Sequence, residues 1–205
     1  LKNWFKTQDR SDFSKVASIS MDMWDPFINA VTANFENADK LISFDRFHVA
    51  QHFNRALDKI RAAEHRQYTF TMKDSPLCKS RFHWLRNSSR MDNRDSRRKD
   101  FLSLTRMNLK TARAWRIKEA ASLLWNYSYM GVAEKNWKHL LYWISHSRLK
   151  PMIAVGKTVR RYLWGILNAI ELRANNCMLE AKNDRIQRIK KIACGFRNRE
   201  RFKNA

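Results

Sequence analysis

The spacing of apolar residues changes once along the chain, at Asp45, and that change restricts it to few folds. Upstream of it, Val16, Ser18 and Ser20 interleave with Ala17, Ile19 and Met21, the two-residue period of a strand ending at Asp22. A second strand signal follows in KLISFD, and PFINAVTANF between the two reads as a helix. Strand, helix and strand joined this tightly make a βαβ unit, whose strands pair in parallel and are buried on both faces. Downstream, apolar residues recur at helical spacing, first at Phe53, Ala56, Leu57 and Ile60 within Phe47 to Arg66. Further helices are expected over Thr111 to Met130, Val132 to Ser147, Met152 to Arg173 and Asn176 to Cys194. Gly131 and Gly195 suit helix stops, and Pro151 suits a start. Leu1 to Thr7 reads as a helix end, QDRSD as a polar loop, and Asn87 to Asp100 as an exposed loop or frayed helix. The fold expected is α/β plus an all-α part, mostly α overall. Two strands do not make a stable sheet alone, so helices must cover them.

Charge follows the same division. The first 60 residues hold eight Lys and Arg against eight Asp and Glu, so the whole net charge of +22 lies beyond them. An excess of that size calls for a polyanionic partner, and nucleic acid leads. Eight Trp and twelve Phe are interleaved with the cations. Some could stack on bases, but most are expected in the core.

Several classes drop out. With four scattered glycines there is neither a phosphate-cradling loop nor a nucleophile elbow, which removes NTP-driven and serine-hydrolase chemistry. Three distant cysteines indicate neither a disulfide framework nor a zinc knuckle and suit a reducing, cytoplasmic setting. No run approaches 18 apolar residues, so no membrane span is expected. The chain opens on Leu1 without a charged-then-apolar leader, which suits a fragment of a longer protein.

Three groups of residues carry possible chemistry. Asp22 closes the first strand, where it either caps the following helix or serves as an active-site acid, because functional groups gather beyond the carboxyl ends of parallel strands. His48 and His52 in HVAQH have the spacing of a metal pair, but no third ligand and no adjacent general base accompany them, so zinc is not expected. In NNCMLEAKNDRIQRIKKIACGFRNRERF, Leu179, Ile186, Ile189 and Ala193 form an apolar stripe, with Glu180, Asn183, Gln187 and Lys191 beside it. Glu180 is an acid among cations: either a salt-bridge partner or a metal ligand next to a phosphate-binding surface.

The order MDMWDPFINAV, NADKLISFDRFHVAQHFNRALDKIR, LKTARAWRIKE and the NNCMLEAKNDRIQRIKKIACGFRNRERF segment resembles the catalytic domain of bacterial insertion-sequence DDE transposases, in the subgroup with a DRFHV strand end and a long helical insertion. The resemblance covers nearly the whole chain. It implies a partial ribonuclease-H-like core over residues 1–47, a basic helical insertion over 48–174, and a C-terminal core helix over 175–205. By motif, Asp22 and Glu180 match the family's second and third catalytic acids, ligands of a two-metal Mg²⁺ or Mn²⁺ site. Asp45, His48 and Asn183 would support them. Arg46, Arg185, Lys190, Lys191, Arg197 and Arg199 would bind DNA. The family's first acid has no match after Leu1, so it is expected upstream, and the isolated chain is expected to be inactive. Implied partners are the DNA of the element's ends and of the target, and further copies of the full-length protein, in a bacterial, nucleoid-associated setting with no membrane. A non-catalytic helical nucleic-acid-binding protein and a decayed transposase remnant are the alternatives.

Overall fold

In the computed structural model, the described residues are 5, 7, 10–72, 74–88, 96–173 and 177–192. They are mostly helical, as expected, with a two-stranded parallel sheet whose second strand is buried under helices and whose first is only partly buried, so the burial expected of both strands holds for one. After a 3₁₀ turn over Arg10–Lys15, where a loop was expected, come β1 (Ile19–Met21), α1 (Asp25–Thr32), α2 (Ala38–Leu41) and β2 (Ile42–Phe44). The strands pair in register, Ile19 opposite Ile42, Ser20 opposite Ser43 and Met21 opposite Phe44. Both are shorter than the alternation suggested. Asn37, with φ of 56°, starts the short helix α2 and so confines β2 to three residues.

The remaining helices are α3 (Arg46–Met72), α4 (Arg81–Leu85), α5 (Ser96–Arg106), α6 (Lys110–Leu123), α7 (Met130–His146), α8 (Lys150–Arg161), α9 (Leu163–Glu171) and α10 (Cys177–Ile192). Helix α3 is the spine, with 27 residues and a length of about 40 Å at 1.5 Å per residue. Val49, Phe53, Ala56, Leu57 and Ile60 face the core from it, and α6 and α8 pack along it. Its one buried acid, Glu64, closes the start of α6. The carboxylate accepts hydrogen bonds from the Lys110 and Thr111 backbone N–H groups at 2.8 and 2.7 Å and from the Thr111 hydroxyl at 2.6 Å. Helix N-termini leave such donors unsatisfied, and a negative charge there is favoured by the helix dipole.

Of the exposed loop or frayed helix expected over Asn87 to Asp100, Ser96 to Asp100 is helical, because Phe101 in the same helix is buried against Trp84 and Trp115. Three expectations need correction. The helix expected over Thr111 to Met130 ends at Leu123. Gly131 sits in the first turn of α7 and stops nothing. The expected helix Met152 to Arg173 breaks at Tyr162, where ψ of 16° separates α8 from α9. Pro151 does stand at the start of α8.

Helix α9 lies directly on β2. A Cβ added at Gly165 would come within 2.5 Å of the Phe44 ring, so only glycine allows this approach. Asn168 secures it by donating to the carbonyls of Asp39 and Ile42. Gly165→Val should therefore cost about 1–3 kcal/mol, the range for forcing atoms into a packed core. Urea denaturation would measure it, and a loss under a few tenths would show that the helix shifts freely over the strand.

Candidate active site

Both strands end with an acid on the same rim. Met21 is followed by Asp22 and Phe44 by Asp45, and the ladder continues one step further through the Asp45 N–H to the Met21 carbonyl at 3.3 Å. Parallel, in-register pairing places the two acids side by side at the carboxyl edge. Asp45 is nearly buried, and its Oδ1 accepts from the Phe47 N–H at 2.9 Å, capping α3. Asp22 is half exposed. It makes no cap to the helix that follows: Trp24 is the N-cap of α1 and offers no side-chain hydrogen bond.

His48, in the first turn of α3, stands between the acids. Its Nε2 is 2.8 Å from Asp22 Oδ1 and 3.9 Å from Asp45 Oδ2. One nitrogen thus faces two carboxylates. His52 lies one turn further along. Burial, then the neighbouring Arg55 and His48, hold its imidazole below the ordinary value, while Asp22 acts in the opposite sense. His52 is accordingly neutral at pH 7.

The hard oxygen donors of Asp22 and Asp45 suit Mg²⁺ or Mn²⁺ more than zinc. Among the described residues, no group of three or more His, Cys, Asp or Glu side chains is arranged to hold a metal. A further oxygen donor from elsewhere must complete any such site. His48 and His52 are expected not to bind zinc tightly, and a stoichiometric zinc signal abolished by His52→Ala would overturn that.

The remaining candidates are spread out. Arg46 opens α3 on the same rim, and its guanidinium reaches the Ser122 carbonyl at 3.3 Å. Arg185, Lys190 and Lys191 are exposed along α10. Of the apolar stripe expected on this helix, Ile186 is 39% exposed and Ile189 is partly buried, while the side chains of Leu179 and Ala193 lie outside the described residues. Positions 180 and 183 are helical, but the side chains of Glu180 and Asn183 lie outside the described residues, as do Arg197 and Arg199.

Two features of this rim escaped sequence reasoning. Trp24 and Phe47 are exposed within two residues of the Asp22–His48 contact. Asp25, three residues past Asp22, is gripped from the α8–α9 break: Arg161 Nη2 lies 2.7 Å from its Oδ2, and the Tyr162 hydroxyl donates to its Oδ1 at 2.7 Å. This fixes the loop carrying Asp22 against the helical part. No local pattern joins residues 136 positions apart.

The whole chain, residues 1–205, matches the DDE ISL3 transposase family. It is 25% identical over 190 residues to the transposase for insertion sequence element IS1001 of Bordetella parapertussis. That match takes in 92% of this chain and 46% of the relative, so the chain spans about half the relative's length. No solved structure matches it.

Proposed function

The chain belongs to the DDE ISL3 transposase family, and from that premise we propose that it carries the second and third acids of a centre for DNA strand cleavage and strand transfer, Asp22 and Glu180. The observation that carries this reading is the placement of Asp22, half exposed beyond a parallel strand pair, with Asp45 beside it and a histidine between them. A parallel pair ending in acids also supports reading residues 1–47 as part of a ribonuclease-H-like core. The insertion then spans residues 48–174 and the closing helix 175–205.

In such a centre divalent cations polarise the scissile phosphate and activate the attacking oxygen. The residues of this chain do the rest. Asp22 and Asp45 supply anionic oxygens on a rigid edge, with Glu180 brought to them by α10. Before metal binds, His48 holds Asp22 in position by hydrogen bonding. Arg46 and the cations of the last helix and tail, Arg185, Lys190, Lys191, Arg197 and Arg199, bind phosphates without regard to sequence. Supporting this reading, the net charge of +22 falls entirely beyond residue 60. The first acid is assigned to a segment outside residues 1–205.

The test is a comparison of two proteins with labelled insertion-sequence-end DNA and Mg²⁺ or Mn²⁺. A protein that extends this chain upstream to include the first acid should cleave and join, whereas residues 1–205 alone should bind DNA and leave it intact. Metal-dependent cleavage by the 205 residues alone would remove the three-acid assignment. Inactivity of both proteins would favour a non-catalytic DNA-binding remnant.

A further inference from the structure

Away from the acid rim, the helical part holds an open cleft of about 470 Å³ between α6 and the end of α7, lined by Arg113, Arg116, Ile117, Trp143, His146, Ser147 and Arg148. Buried Ile117 forms its floor. Three arginines line it, two from α6 and one from the turn after α7, and no carboxylate is among the lining residues. None of the three arginines makes an ion pair with a described residue, in contrast to Arg61, Arg81 and Arg161, which all do. Like charges gathered without a counterion cost free energy unless an anion joins them.

The cleft is built, not a chance gathering of mobile side chains. Arg116 Nη2 donates to the Thr105 carbonyl at 2.8 Å, which fixes that guanidinium between α5 and α6. The turn bearing Arg148 is locked by Ser147, whose hydroxyl donates to the Ile144 carbonyl at 2.7 Å and accepts from the Leu149 N–H at 3.2 Å. Arg148 itself has φ of 58°, a left-handed setting that glycine or asparagine takes more readily. Trp143 adds an indole 40% exposed at the same cleft.

Resting on the proposal that the chain acts on DNA, we infer that this cleft grips one DNA strand, with a phosphate between Arg113, Arg116 and Arg148 and an unpaired base stacked on Trp143. Guanidinium forks match phosphate oxygens, and an aromatic face accepts any base. The contact is sequence-independent. It anchors the strand on the insertion, apart from the acid rim.

Fluorescence anisotropy of a labelled 20-nucleotide single strand, and of the corresponding duplex, tests this with the full chain between about 50 and 200 mM salt. The double variant R113Q/R148N keeps Arg116 as the structural anchor and gives position 148 a residue suited to its backbone. It should weaken binding to both DNAs about tenfold at mid-range salt and flatten the plot of log affinity against log salt by about 0.7 on the single strand and about 0.9 on the duplex, the increment for one phosphate contact. K40Q/K59Q removes equal charge elsewhere and should shift the slope by less than about half a unit. Trp143→Ala should weaken single-strand binding by about tenfold more than duplex binding, and Trp143→Phe should restore most of that loss. Thermal melts by circular dichroism establish that each variant is folded. An unchanged slope in folded R113Q/R148N, or an equal flattening in K40Q/K59Q, would overturn the phosphate assignment. Equal effects of Trp143→Ala on both DNAs would overturn the stacking. Strand cleavage is not read in these titrations, so their failure leaves the catalytic proposal to its own test.

Discussion

Glu180→Gln, in a transposase that contains this chain together with the first acid, is expected to reduce Mg²⁺-dependent DNA cleavage at least about a hundredfold while leaving DNA affinity within a few-fold. The amide keeps the shape of the side chain and removes its charge. A hard divalent cation is held mainly by anionic oxygen. Altering a group that merely supports a ligand already costs about 10–100-fold in metal affinity or activity, so removing a ligand's charge should reach at least the upper end of that range. DNA affinity is spared because it rests on the cations beyond residue 60, and one acid fewer raises the net charge slightly. Single-turnover cleavage of labelled element-end DNA measures the effect. A rate within tenfold of the parent would take Glu180 out of the reaction.

The largest stability effect is expected at Trp84. Its side chain is wholly buried, meets Phe101 edge-on at 4.8 Å between centroids and Trp115 at 6.4 Å, and donates from Nε1 to Ser80 Oγ at 3.0 Å. Its own carbonyl accepts from Lys118 Nζ at 3.0 Å, one of the few partners of that buried ammonium. Burial lowers the Lys118 pKa, with Glu119 opposing it, so the lysine depends on these oxygens. Trp84→Ala empties the centre of an aromatic cluster that joins α4, α5 and α6, and should cost about 3–5 kcal/mol. Set against a total of about 5–15 kcal/mol for a domain, that is a third or more of the stability. Chemical denaturation would show it as a lowered midpoint. A loss below about 1 kcal/mol would mean that the cluster collapses onto the space.

What could be read from the sequence follows from which interactions are local. The stripe Phe53, Ala56, Leu57 and Ile60 marked α3 because a helix repeats its buried face within a few residues. Asp22 and Asp45 were found because each directly follows an apolar strand run, and in-register pairing then sets them side by side. The histidine between them was visible as a motif, but its hydrogen bond to Asp22 needed the fold. The α8–α9 break was invisible because its cause is remote: Tyr162 turns out of the helix to reach Asp25, 137 residues away. Gly131 misled because a glycine marks a helix end only where the backbone turns left-handed, whereas among the described residues the left-handed positions are held by Asn37, Lys79, Arg148 and Arg173. The arginine cleft left no trace either, since Arg113 lies in α6 and Arg148 in the turn after α7, and the two line one cleft only when α6 and α7 pack.

The claim that Asp22 belongs to a metal centre is tested most directly by anomalous diffraction from crystals of the longer transposase grown with Mn²⁺. The account predicts a manganese peak about 2.1 Å from an Asp22 carboxylate oxygen, with Glu180 on the same ion or its neighbour and the His48–Asp22 hydrogen bond broken or moved to the other oxygen. An Asp22 carboxylate still hydrogen-bonded to His48 as in the present structure, with manganese bound elsewhere or absent at saturating concentration, would contradict it.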